Sequence, residues 1–345
     1  MAAYVKAQTS VLRKNISDYP QCLEIETATN ASAKTLPTIL KNVKKMTRPT
    51  KEERVKFDVD YPQDTDFSAY ARLLQSKWRH EKGFPKLKYG NFLDIEFAKT
   101  TKANFLTDNI RQLVTEEVAH AKKTGGLISE PRIWNNLLSS QPLCFNLFGE
   151  FSFDINLATI YFQQLFPNLL DRVTAVKFEY SPGRGDAKYT GDRSAFDVFV
   201  EYTKGGLKGF IGIEVKYAES LKEETKDKAA KNFKDQYATL TNSCGIFKPN
   251  SVDFLRQPPI SQIWRDHLLC IATKQDYDEG FFVFLYPQKN SHCQNGVDIY
   301  KQYLISEIEQ KTCFYPRYIE DFINTLSIIS NAAWVTELKH RYLGV

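Results

Sequence analysis

The stretch "FDVFVEYTKGGLKGFIGIEVKY", residues 196–217, constrains the fold more than any other part of the chain. Two runs rich in Val, Ile, Phe and Tyr, alternating apolar with polar residues, flank Gly205-Gly206. That alternation marks strands, and two glycines accept the positive φ that a tight hairpin requires at both central positions. With Lys204 facing Leu207, Val200 stands opposite Ile211, Val198 opposite Ile213 and Asp197 opposite Glu214. A slip of one residue would bury the charges and expose the aliphatic groups, so the register is well specified. One face makes the fold, and the other gathers Asp197, Glu214 and Lys216.

Directly opposed residues on neighbouring strands carry Cβ atoms roughly 4.5–5.5 Å apart. Two carboxylates that close repel, and one is expected to take up a proton unless something positive intervenes. A divalent cation removes the conflict. Hard oxygen donors select Mg²⁺ or Mn²⁺, and an ion with few protein ligands keeps waters that can serve as a nucleophile. Lys216, two residues from Glu214 on the same face, is placed to orient or deprotonate such a water, or to neutralise charge developing on a phosphate.

Around this hairpin the texture divides the chain. Residues 1–65 read as a basic, partly irregular arm carrying Lys41, Lys44, Lys45, Arg48, Lys51, Arg54 and Lys56, a solvated lead-in or a contact with nucleic acid or a partner. Residues 66–149 read as a helical region packing on the core, with three- and four-residue apolar spacing over 66–83, 104–126 and 131–140. Residues 150–345 hold a helix over 154–167, strands over 172–180, 196–202 and 209–217, a charged helix over 220–240, a buried helix over 260–274 and an apolar strand over 280–287. Helices over 297–308 and 318–343 close the chain. That order predicts an α/β fold of three layers with a central mixed sheet flanked by helices.

Of 345 residues, 42% are hydrophobic and 13% aromatic, enough for a core without staples. The six cysteines are scattered with no CxxC pair and no zinc spacing, so reduced thiols and a cytoplasmic location are expected. No apolar run reaches the roughly 18 residues of a membrane span, and membrane partners are not expected. A net charge of +5 permits contact with a polyanion but names no partner. No Ser/His/Asp order, phosphate-binding glycine loop or dinucleotide motif stands out, so no organic cofactor is expected.

The Asp…Glu-x-Lys arrangement on a hairpin, "FEYSPGRGDAKYTGDRSAFDVFVEY" followed by "IGIEVKY", resembles the PD-(D/E)XK nuclease superfamily, and within it a restriction-endonuclease-like branch of bacterial proteins. The resemblance implies a restriction-endonuclease-like core. It matches Asp197 and Glu214 to the metal carboxylates, with the Val215 backbone carbonyl as a further ligand, and Lys216 to the catalytic lysine. Phe196 stands where the name-giving proline would be. An additional acid is implied upstream, Glu179 or Glu150, with Glu179 favoured because it ends the neighbouring strand.

The resemblance further implies Mg²⁺-dependent cleavage of DNA, of restriction or defence type, with a homodimer as one arrangement. A nucleic-acid-binding module without cleavage and a nuclease acting on RNA stay open as alternatives. Gln262 and Arg265 share a helix face with Leu269 and are candidates to support the site. His267 reads as a hydrogen-bonded helix residue. Arg184, Asp186, Lys188, Asp192 and Arg193 before Asp197, and Lys222, Lys226, Lys228, Lys231 and Lys234 after the hairpin, are phosphate contacts or solvated surface.

Overall fold

A computed structural model describes residues 46–221, 231 and 233–345. Lys41, Lys44 and Lys45 of the basic arm, and Lys222, Lys226 and Lys228 of the expected charged helix, lie outside the described residues. The strands are β1 (Arg172–Tyr180), β2 (Phe196–Lys204), β3 (Leu207–Val215), β4 (Glu279–Tyr286) and β5 (Phe314–Tyr318), and their spatial order is their chain order. The first three form an antiparallel meander, whereas β3, β4 and β5 run parallel. The sheet is therefore mixed, as the element order predicts.

The β2–β3 register follows from the turn. Gly205 and Gly206 have φ of 55° and 85°, the doubly positive geometry that twists a two-residue loop into line with its strands. Lys204 pairs with Leu207, Val200 with Ile211 and Val198 with Ile213. Parallel pairing of β4 on β3 requires a crossover, which α5 (Asp235–Ser243) and α6 (Ser261–Thr273) supply; α7 (Ser291–Lys301) lies between β4 and β5.

Before the sheet come α1 (Asp66–Glu81), α2 (Asp108–Thr124), α3 (Ser140–Phe148) and α4 (Ile155–Leu165); α8 (Ile319–Ile329) and α9 (Ala333–Leu343) end the chain. Thr65 and Thr107 cap α1 and α2 through their side chains, and Gly125 closes α2 at φ 71°. These are the start and stop signals that the sequence carries.

Helices cover both faces of the sheet. On one face Val198, Val200, Ile211, Ile213, Val283 and Leu285 pack with buried residues of α1 to α4, α8 and α9. On the other, Phe199, Phe210, Phe282, Phe284 and Phe314 pack with Trp264, Leu268, Val297 and Tyr300. The charged face of the hairpin is thus apolar in its middle, at Phe199 and Phe210, with Glu201 ion-paired to Lys177 on the side of the turn and Glu214 with Lys216 at the far end. Glu214 and Lys216 are 6% and 8% exposed, so burial of the charges is a property of the native register rather than of a slipped one. Gly212 makes room for this packing, because a Cβ there would lie 2.3 Å from the Phe196 ring.

Five elements differ from the sequence reading, the first being the charged helix expected over 220–240: residues 233 and 234 are not helical, Lys234 is extended at φ −126°, and α5 runs only from Asp235 to Ser243. β5 was not expected, since Pro316 interrupts its run; proline is tolerated here because β5 is an edge strand with one neighbour. The single helix over 318–343 is two, broken at Ser330, whose backbone is extended at φ −144° and whose Oγ accepts the Ala332 amide. Short hydroxyl side chains compete for backbone donors in this way. Residues 131–140 form only the turn Arg132–Asn135 before α3 begins at Ser140, and the helix expected over 297–308 runs from Ser291 to Lys301.

Candidate active site

The site grows from two registers that meet at Asp197. In the β1–β2 ladder Phe178 pairs with Val198 and Tyr180 with Phe196, which sets Glu179 beside Asp197. In the β2–β3 ladder Val198 pairs with Ile213, which sets Asp197 beside Glu214. The two registers therefore set three carboxylates at adjoining positions, a row across three adjacent strands. Glu179 has φ 46°, a left-handed backbone that non-glycine residues rarely adopt and that costs on the order of 1–3 kcal/mol. Its side chain is held by Gln141, whose Nε2 donates to Oε1 at 2.6 Å.

At the end of the hairpin a side chain replaces a ladder bond. Hydrogen-bonded pairs alternate along an antiparallel ladder, so the Val215 amide would next meet the Phe196 carbonyl. It donates instead to Asp197 Oδ2 at 2.7 Å, and the adjacent Lys216 amide donates to the Leu285 carbonyl of β4 at 2.8 Å. Here β3 leaves β2 for β4, which opens the sheet where the acids lie.

Glu214 Oε1 is shared. It forms an ion pair with Lys216 Nζ and accepts from Gln262 Nε2 at 2.9 Å. One turn after Gln262 on α6 lies Asp266, 7% exposed, whose Oδ2 has no hydrogen-bond partner. Asp266 is a carboxylate that the sequence reading missed. The signal was its four-residue spacing from Gln262, obscured because Asp266 sits among the apolar residues of a buried helix.

Negative charge is in excess around the row. Burial, together with Glu214, pushes Asp197 and Asp266 well above the usual carboxylate range. Burial and Glu214 likewise raise Glu179 to about 7, against the opposing pull of the Gln141 bond. For Lys216, burial favours the neutral amine, but Glu214, Asp197 and Glu219 together outweigh it and hold the ammonium above its ordinary value. Among the described residues no three His, Cys, Asp or Glu side chains form a ready metal cage. The donor set is instead hard carboxylate oxygen crowded on one sheet end, with Asp266 Oδ2 orphaned nearby. Both features fit a hard divalent cation that keeps part of its water.

The other predicted residues fall elsewhere. Glu150 accepts from Thr107 Oγ1 and from Asn109 Nδ2 at the start of α2. Asp192 binds Thr190, Ser194 and Tyr237, and Lys188 pairs with Asp276 at 2.8 Å. Arg193 donates to the Gly125 carbonyl and Arg184 to the Glu179 carbonyl. The loop before Asp197 is thus stitched to its surroundings. His267 is buried with Nδ1 2.9 Å from Tyr300 Oη, a hydrogen-bonded core residue. Leu269 joins the aromatic core while Gln262 reaches Glu214.

A mixed five-stranded sheet between helical layers, with acids and a lysine at the end of a hairpin, is the architecture of a restriction-endonuclease-like nuclease. The PD-(D/E)XK nuclease superfamily matches residues 62–344 of the chain, and the chain belongs to that superfamily. No curated protein and no solved structure matches it. Nucleases of this superfamily generally use divalent metals. No helix of the described residues is long and apolar enough to cross a membrane.

Proposed function

We propose that this protein is a Mg²⁺-dependent phosphodiester hydrolase acting on DNA, an endonuclease of restriction or defence type. The observation that carries the reading is the juxtaposition of Asp197, Glu214 and Lys216. Asp197 is bonded to the Val215 amide, and Glu214 is ion-paired with Lys216 on the same sheet end. Asp197, Glu214 and the Val215 carbonyl would hold the ion, with Glu179 adding charge. When bound, the cation activates water and stabilises the leaving oxygen.

The chain's own residues supply the rest. Lys216 is an ammonium donor in its contact with Glu214 and is placed to donate to a phosphate oxygen or to orient the attacking water. Gln262 holds Glu214 at 2.9 Å, and Gln141 holds Glu179 at 2.6 Å, so two amides fix the acids from opposite sides. A side chain locked by such bonds loses little freedom when substrate arrives.

The test is cleavage of plasmid, linear and single-stranded DNA and of matched RNA, in Mg²⁺, Mn²⁺ or EDTA, by the wild type, Asp197→Ala and Lys216→Ala. Metal-dependent cutting of DNA, lost in both variants, is the expected result. Cutting of RNA alone moves the substrate class. Nucleic-acid binding without cutting under any condition replaces the nuclease by a binding module.

A further inference from the structure

A cavity of about 270 Å³ opens against Lys216. Beside Leu127 and Leu221 its walls are made by Ser129, Arg132, Ser140, Gln141, Ser261 and Gln262, and Glu219 is its single acid among the described residues. Hydroxyls, amides and two cations form a donor-rich wall, which suits an anion with several acceptor oxygens. The cavity also abuts the acid row, since Gln141 donates to Glu179 and Gln262 to Glu214.

We infer that Arg132 binds the backbone phosphate next to the scissile one, making this cavity the seat of the nucleic-acid strand beside the reacting bond. The inference rests on the nuclease reading. Ser139 Oγ accepts from Arg132 Nε at 3.1 Å and fixes the plane of the guanidinium. The Arg132 side chain remains 50% exposed, and its Nη2 lies 3.7 Å from Glu219 Oε1. That separation attracts without forming a hydrogen bond, whereas Glu219 Oε2 accepts the Tyr217 amide at 2.7 Å. A phosphate can therefore engage Arg132 without breaking a tight pair, and the planar fork matches its oxygens two at a time.

The experiment is fluorescence anisotropy of labelled duplex and single-stranded DNA with the full chain in EDTA. Salt is varied from about 50 to 300 mM, a range over which counterion release is measurable, and steady-state cleavage in Mg²⁺ is measured alongside. Arg132→Ala is expected to weaken binding about tenfold at low salt and to reduce the slope of log K against log salt by about 0.9 on duplex or 0.7 on single strands. It should raise KM by a similar factor with kcat within about twofold, the signature of uniform binding. Arg132→Lys should keep most of the salt slope, and both variants should melt with the wild type. An unchanged slope and KM in Arg132→Ala, or a fall in kcat at constant KM, overturns the inference. If the wild type itself neither binds nor cuts nucleic acid, the nuclease reading fails; if it does both and only the Arg132 effect is missing, this inference fails alone. Free phosphate that competes at micromolar concentration would mark a site for the small anion and overturn the strand assignment.

Discussion

Asp197 Oδ2 accepts the Val215 amide at 2.7 Å, one residue past the Glu214 that the hairpin register sets beside Asp197. The same carboxylate thus ends the β2–β3 ladder and belongs to the acid row.

Asp197→Asn keeps an oxygen for the Val215 amide and should melt close to the wild type. Asp197→Ala leaves a fully buried N–H unpaired at a residue 0% exposed, at a cost of about 1–3 kcal/mol. Both should lose metal-dependent cleavage. Urea unfolding beside plasmid nicking checks the pair. Equal stability of the two variants would show that the side-chain bond does not close the ladder.

The Glu214–Lys216 ion pair is buried on both sides. Lys216→Ala strands a charge and is expected to destabilise the fold by about 3–5 kcal/mol, while Glu214→Leu with Lys216→Met should recover most of that loss. Turnover should fall about 100- to 1,000-fold in Lys216→Ala, with DNA affinity nearly unchanged. A double variant less stable than Lys216→Ala would refute the desolvation argument.

Gly212 lies under the Phe196 ring, and an added Cβ would come within 2.3 Å of it. The ring belongs to the rigid aromatic cluster of Phe199 and Phe210, so it cannot yield freely. Gly212→Ala should cost about 1–3 kcal/mol by overpacking and reduce cleavage by displacing the residue before Asp197. Phe196→Leu in the same chain should restore part of both. Thermal melts and activity of the two variants decide it.

His267 is fully buried beside Tyr300, and burial lowers its pKa from 6.5 to about 3. Between those values the unfolded chain binds a proton that the folded chain refuses. The stability from the neutral ring is therefore complete above about pH 6.5 and is lost as pH falls toward 3, by about 1.4 kcal/mol per unit. The stability difference between wild type and His267→Asn should shrink with that slope from pH 6.5 to 4. A difference independent of pH would mean that the ring titrates alike in both states.

The sequence by itself determined the hairpin and its register, because a two-glycine turn and strict alternation leave few pairings that bury Val198, Val200, Ile211 and Ile213 together. It likewise determined the helices capped by Thr65 and Thr107 and the apolar strand β4. What lay beyond it depends on contacts distant in the chain. The proximity of Glu179 to the pair needs the β1–β2 register and a left-handed turn at Glu179 itself. Gln262 and Asp266 come to Glu214 only because α6 packs across the sheet between β3 and β4, and the Arg132 cavity needs the turn before α3 to reach Lys216. Local propensity and period act over a few residues. Burial of charge is set by what the fold lays over it, and only the tertiary structure decided that Glu214 and Lys216 at the end of the hairpin would be buried.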